Sequence, residues 1–127
     1  MSERSQNFLV EARRRARHNK SAFDTFKALL KFALKSGPLP NKTFTTQIAY
    51  IEAVLKVLET HAPMIKQAPY MQKYVTGAID TIRNTAYPVL VQLLEQYDGP
   101  RTSRAKIADA IREMNNRMCS VHELCVE

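Results

Sequence analysis

The sequence predicts an all-α protein, a compact bundle of five helices, or of six if Pro88 splits the central one. Apolar residues recur every three or four positions along most of the chain, which is the period of a helix with one buried face. Only three glycines occur, and β-branched residues do not alternate with polar ones as they would in strands. With 127 residues, 45% of them apolar, the chain is long enough for one domain with a core, over residues 1–127.

The first predicted helix covers residues 3–19 and is basic. Its apolar stripe is narrow, so we expect it to lie at the periphery of the bundle. Residues 12–20 contain no acid, so nothing in that run neutralises the arginines of this helix locally. A short connection over residues 18–20 predicts that this helix and the next form an antiparallel hairpin.

The second predicted helix covers residues 22–35. Ser21 followed by Asp24 is typical of a helix start, because the hydroxyl can accept from a free backbone amide and the carboxylate suits the helix dipole. Gly37 and Pro38 predict its end. Its predicted core face is made by Phe23, Phe26, Leu29, Leu30, Ala33 and Leu34.

Thr43 or Thr45 is expected to cap the third helix, which has an apolar face through Ile51 and Leu58. We expect it to end near His61, because Pro63 disfavours helical geometry in the residue before it.

The fourth and most apolar stretch, residues 69–98, is predicted to form the central helix. Pro88 lacks an N–H group and its ring collides with the carbonyl of Asn84, so the helix must kink or split near residues 84–88. We favour a kink, because the apolar period continues beyond Pro88.

The last predicted helix begins at Thr102 or Ser103 and continues to about Ser120. Ile107, Ile111 and Met114 lie on its predicted buried side. Residues 121–127 are left as a C-terminal tail that is either flexible or an extension of this helix.

The net charge of +7 favours an anionic partner, and the excess is concentrated in the first 40 residues. Lysines spaced four apart form one row on the second helix, and this row would join the arginines of the first helix if the two form a hairpin. A polyanion, with RNA or DNA backbone as the first choice, would then bind without base specificity. The candidate residues are Arg13, Arg14, Arg17, Lys20, Lys27, Lys31 and Lys35.

Other interpretations of this charge stay open. Lysine and arginine also solubilise exposed helices without binding anything, and they attract acidic protein surfaces and anionic membranes. The run around Arg13 is similar to simple basic nuclear-import signals, although many unrelated helices contain such runs.

A second hypothesis assigns a protein interface to the central helix, whose apolar surface exceeds what short neighbours can cover. The chain would then be an adaptor for an acidic or apolar protein partner, or a homodimerising scaffold. Tyrosine suits such a surface, because it buries a large ring and keeps a polar end, although the same spacing is common in cores. The interface candidates are Tyr70, Tyr74, Tyr87, Leu94 and Tyr97.

The sequence gives no indication of an enzyme or of a cofactor. No glycine-rich phosphate loop is present, and the acids do not group locally with serine or histidine. Cys119, His122 and Cys125 have helical spacing that could bring three metal ligands together, but the paired Cys-x-x-Cys of structural zinc sites is missing. Without a transmembrane segment, a signal peptide or a disulfide framework, we expect an intracellular protein, cytoplasmic or nuclear.

Overall fold

The computed structural model describes residues 20–35 and 43–126, and all the regular structure in these two ranges is helical. Residues 20–35 are a helical stretch, called α1. Four complete α-helices follow: α2 (Phe44–Lys66), α3 (Gln72–Asn84), α4 (Ala86–Glu95) and α5 (Arg101–Val126), with a short 3-10 helix, Pro69–Met71, before α3. The prediction of a compact, all-helical arrangement is confirmed.

The predicted number of five or six helices is not reproduced, because within residues 20–35 and 43–126 the structure has four complete α-helices, and residues 20–35 are only a described stretch of helix. The predicted helix over residues 3–19 lies outside the described residues. The helix predicted over residues 69–98 is divided. Lys20 is already helical, so the predicted connection over residues 18–20 does not include it.

The helix with the most buried side chains is α2, rather than the predicted central stretch at residues 69–98. Eight of its residues are buried, and it contacts α3, α4, α5 and the 3-10 helix. Its start agrees with the sequence: Thr43 is the N-cap, and its hydroxyl accepts from the N–H of Thr46 at 3.3 Å. The Tyr50 hydroxyl ties α2 to α1 by donating to the Leu34 carbonyl at 3.2 Å, and burial raises the pKa of Tyr50.

The expected end of this helix near His61 is wrong, since α2 continues through Pro63 to Lys66. Proline costs a helix one hydrogen bond, but the neighbouring Ala62 and Ile65 are buried in the core and their burial favours continuation. The Pro63 ring is exposed to solvent, so it disturbs no packing contact. Tertiary packing therefore overrides the local preference at this proline.

Replacing Pro63 with alanine is expected to stabilise the protein by about 1–3 kcal/mol, because it restores a backbone donor in the interior of α2. Thermal unfolding followed by circular dichroism measures the effect. Pro88→Ala is the matched control. Pro88 lies in the first turn of α4, where a backbone N–H has no acceptor within the same helix. We therefore expect this variant to change the free energy of unfolding by less than about 1 kcal/mol. An unchanged melting temperature for Pro63→Ala would contradict this account.

The stretch predicted as one central helix is split rather than kinked. The 3-10 helix, α3 and α4 follow one another, and Thr85 separates α3 from α4 with φ −121° and ψ −77°, outside helical geometry. Pro88 explains the position, because its nitrogen cannot donate to the carbonyl of Asn84 and its ring would collide with it. The break therefore falls three residues before the proline, and the second of the two predicted alternatives is correct.

The last helix, α5, is 26 residues long and includes residues 121–126, so this segment extends the helix. Val121 and Cys125 are buried in the same core as Met114 and Met118. Near the middle of this helical face, the Arg117 guanidinium reaches α2, with Nη2 2.6 Å from Glu59 Oε1 and Nη1 4.0 Å from Glu52 Oε1. The C-terminal half of α5 is thus packed on α2.

Candidate functional site

The two sides of α1 differ sharply in chemistry. Phe26, Leu30 and Ala33 are buried and fix this helix on the core. The four lysines of α1 are all exposed. At 100° per residue they fall on one stripe that faces away from the buried side. We call this stripe the lysine row; its members are Lys20, Lys27, Lys31 and Lys35.

The lysine row extends along most of α1. At a rise of 1.5 Å per residue it spans about 22 Å, and Lys27, Lys31 and Lys35 follow one another at about 6 Å. Asp24 is the one acid in residues 20–35, and its Oδ1 lies 3.7 Å from Lys27 Nζ. These two side chains are 61% and 43% exposed, so water and salt screen their attraction. The row therefore keeps most of its positive charge.

Within residues 20–35 and 43–126, no ion pair neutralises the far end of the row. Among the described residues, Lys31 and Lys35 pair with no carboxylate, and their positions lie one and two turns beyond Lys27. The three arginine candidates, Arg13, Arg14 and Arg17, lie outside the described residues. That these arginines and the lysine row form one basic surface stays a prediction.

Tyr70, predicted as part of a separate protein interface, lies beside α1. Its ring contacts that of Phe23, with centroids 5.6 Å apart and planes at 84°, an edge contact. Tyr70 nevertheless remains 64% exposed. Nothing in the sequence predicts this juxtaposition, because Phe23 and Tyr70 are far apart in the chain and no local pattern relates a helix to a distant turn.

The other interface candidates are half-buried, so they contribute to packing as well as to surface. Lys73 Nζ lies 5.3 Å from the centre of the Tyr74 ring, a cation–π arrangement. Tyr97 folds over the turn between α4 and α5, where a Cβ on Gly99 would come within 2.6 Å of its ring carbon Cζ. Glycine at position 99 gives the room that this ring needs.

Leu94 lines an open groove of about 390 Å³ between the end of α4 and the start of α5. The other lining residues are Arg101, Arg104, Ala105 and Ala108. Three of its lining residues are apolar and two are arginines. It places one predicted interface residue, Leu94, at a surface with room for another side chain.

The predicted metal ligands are not brought together. The Cys125 thiol is buried and lies 4.0 Å from the Leu58 carbonyl, whereas Cys119 is exposed and lies 3.9 Å from Arg83 Nη2. Across residues 20–35 and 43–126 no group of three or more His, Cys, Asp or Glu side chains could hold a metal ion. Burial raises the pKa of the Cys125 thiol, which disfavours the thiolate that a metal needs.

The chain matches no protein-family model, and no similarity to a curated protein or to a solved structure is found. None of the helices in the described ranges is both long enough and apolar enough to cross a membrane. Inferences about function therefore depend on the chemistry of the surfaces described above.

Proposed function

We propose that this protein is a non-enzymatic helical binding module that docks the backbone of RNA or DNA on the lysine row. The observation that carries the proposal is the row itself: four exposed lysines on one stripe of α1, with a single acid among them. Each phosphate that a lysine neutralises releases a condensed counterion, which gives affinity without a specific contact geometry.

The residue type favours phosphate over base recognition. A lysine ammonium is a compact charge on a flexible stem, whereas the bidentate contacts that identify a guanine are most often made by arginine. All four members of the row are lysines. We therefore expect binding with little dependence on base sequence.

Fluorescence anisotropy of labelled RNA and DNA, single-stranded and duplex, over a series of salt concentrations tests the proposal. The logarithm of the binding constant should fall linearly with the logarithm of salt concentration, by about 0.7 per phosphate engaged on a single strand and 0.9 on a duplex. Polyglutamate of matched charge is the comparator for acidic protein surfaces. No binding to any nucleic acid at 50 mM salt, or stronger binding to polyglutamate, would contradict the proposal.

The same proposal places the protein in the cytoplasm or the nucleus, where nucleic acid is accessible. Two cysteines in 127 residues do not form a disulfide framework, which fits a reducing compartment.

A second candidate function, contact with another protein or with a second copy of this chain, is favoured by α4. Only Ala86 and Leu90 of this helix are buried, and the apolar residues around them stay partly exposed. These residues are Tyr87, Val89, Val91, Leu93 and Leu94, followed by Tyr97. A partly exposed apolar helix of this kind is typical of an interaction surface.

Leu94→Asp tests self-association through this surface. If the protein dimerises through α4, sedimentation equilibrium at about 100 μM should give a dimer for the natural sequence and a monomer for the variant, because a carboxylate would have to be desolvated at the contact. Leu124→Asp is the control, since Leu124 is an exposed leucine at the other end of α5. A monomer for the natural sequence at this concentration would contradict a homodimer.

A further inference from the structure

Tyr70 is held in an outward position by the residues on either side of it. Ala68 and Met71 are buried in the core, and the Met71 N–H donates to the Ala68 carbonyl at 2.8 Å. Pro69 restricts the backbone between them. The turn is therefore anchored at both ends, and the side chain of Tyr70 is the part of it that faces solvent.

The ring of Tyr70 contacts α1 at Phe23, between two lysines of the lysine row. Its contact residue, Phe23, lies about one turn after Lys20 and one turn before Lys27 on α1. At 100° per residue both lysines lie within about 60° of Phe23 around the helix axis. An exposed aromatic ring thus stands beside one end of a stripe of cations.

The edge contact with Phe23 leaves Tyr70 a free face. In such an arrangement the edge of one ring meets a face of the other, so at most one face of either ring is occupied. The 64% exposure of Tyr70 agrees with a face open to solvent. A fixed aromatic face next to cations is the combination with which proteins bind unpaired bases, because every base can stack and every phosphate is charged.

We propose that Tyr70 is a stacking platform for one unpaired base and that Lys20 and Lys27 hold the phosphates beside it, so that the ligand is single-stranded nucleic acid. This inference rests on the proposed function and narrows its substrate class. Bases in a duplex are already stacked on one another and cannot reach the ring without being extruded. A duplex would therefore use the lysines and leave Tyr70 unoccupied.

The test compares a labelled oligo-dT or oligo-U of about 12 nucleotides with a duplex of the same length at one salt concentration. We expect the single strand to bind at least about tenfold more tightly. Tyr70→Leu should weaken single-strand binding on the order of tenfold, leave duplex binding unchanged and leave the salt dependence unchanged, because the loss is one of stacking and not of charge. The control is Tyr97→Leu, at a partly exposed tyrosine just after α4. It should change neither single-strand binding nor duplex binding.

Tyrosine fluorescence distinguishes stacking of a base on Tyr70 from a purely structural role of this residue, because only stacking changes the emission when nucleic acid binds. The chain has five tyrosines and no tryptophan, so stacking of a base on Tyr70 should quench part of its intrinsic emission. Tyr70→Phe keeps an aromatic face and should retain affinity, but that part of the quenching should disappear. This variant also keeps the ring contact with Phe23, so it tests the proposal even if Tyr70→Leu fails to fold.

The two proposals fail in different ways. Equal binding of single strand and duplex, or wild-type affinity in Tyr70→Leu, would overturn the stacking platform and leave the lysine row as a backbone-binding surface. Absence of binding to either nucleic acid by the natural sequence would overturn both.

Discussion

Replacing Lys27 and Lys31 together with glutamate is expected to weaken nucleic-acid binding on the order of 100-fold at 100 mM salt. The two residues are exposed neighbours at the middle of the lysine row. Their loss removes two phosphate contacts, and the glutamates introduce repulsion at the same place. The slope of the salt dependence should also fall by about one for each lysine lost.

The control for this variant changes the same amount of charge elsewhere. Lys56 of α2 and Lys106 of α5 are exposed lysines outside the row, and replacing both with glutamate leaves the same net charge. This control should lose far less affinity, because only the overall field of the protein has changed. Equal losses in the two double variants, with unchanged helical circular dichroism, would show that net charge and not the row determines binding.

Leu58→Ala is expected to destabilise the fold by about 3 kcal/mol, within the range of 2–5 for buried leucines. Leu58 is fully buried at the middle of α2, at 0% exposure, and its carbonyl faces the buried Cys125 thiol of α5. Truncation at this position leaves a cavity between helices that are distant in sequence. Since domains of this kind are stable by about 5–15 kcal/mol, the loss should be plain in urea-induced unfolding.

Leu124→Ala is the same chemical change at a leucine that is 55% exposed on α5. We expect the free energy of unfolding to fall by less than about 0.5 kcal/mol, because this side chain buries little apolar surface and makes few packing contacts. Comparable losses for the two variants would contradict the placement of Leu58 in the core and of Leu124 at the surface.

The elements that the sequence predicted well are those that local chemistry decides. The spacing of residues in α1 is enough to predict that its apolar side chains and its lysines lie on different sides of the helix. Phe26, Leu30 and Ala33 are buried, as this spacing requires. Leu29 is an exception, because it lies at the edge of the stripe and is exposed. The sequence offers Thr43 or Thr45 as the cap of α2, because a threonine hydroxyl before an apolar run can accept from a free amide, and in the structure Thr43 is the N-cap.

The two prolines show where local rules stop. Local rules predict that Pro63 ends α2 and favour a kink at Pro88, yet α2 continues through Pro63, and the stretch that contains Pro88 divides before it. Buried residues lie on either side of both prolines, Ala62 and Ile65 around Pro63 and Ala86 and Leu90 around Pro88, so burial of the nearest neighbours does not separate the two cases. Which proline a helix tolerates depends on packing partners that the local sequence does not contain.

The two cysteines illustrate a similar limit at the candidate sites. From the sequence the two cysteines are metal-ligand candidates, and residues 121–127 are either a flexible tail or an extension of the last helix, whereas in the structure Cys119 is exposed and Cys125 is buried in the core. Once α5 is known to continue to Val126, the period of Met114, Met118 and Val121 brings Cys125 onto the buried face. The length of α5 therefore decides the environment of the Cys125 thiol, whereas Cys119 lies within the helix in either case.

The lysine row can be predicted from the sequence because its members share one helix. The position of Tyr70 beside this helix cannot. Tyr70 reaches α1 only because Ala68 and Met71 anchor its turn in the core. Sequence period relates residues within an element, but it does not specify which turn meets which helix. The surface that combines charge and an aromatic ring is therefore a property of the fold.

The packing of α5 on α2 also bears on how the chain is made. The contacts between them join residues that are 58 and 67 positions apart, Glu59 with Arg117 and Leu58 with Cys125. A ribosome adds about 5–20 residues per second, so α2 is complete several seconds before α5 exists. During this time the side of α2 that α5 later covers has no native partner. In that interval the uncovered apolar side of α2 is a surface prone to aggregation, which a chaperone would shield.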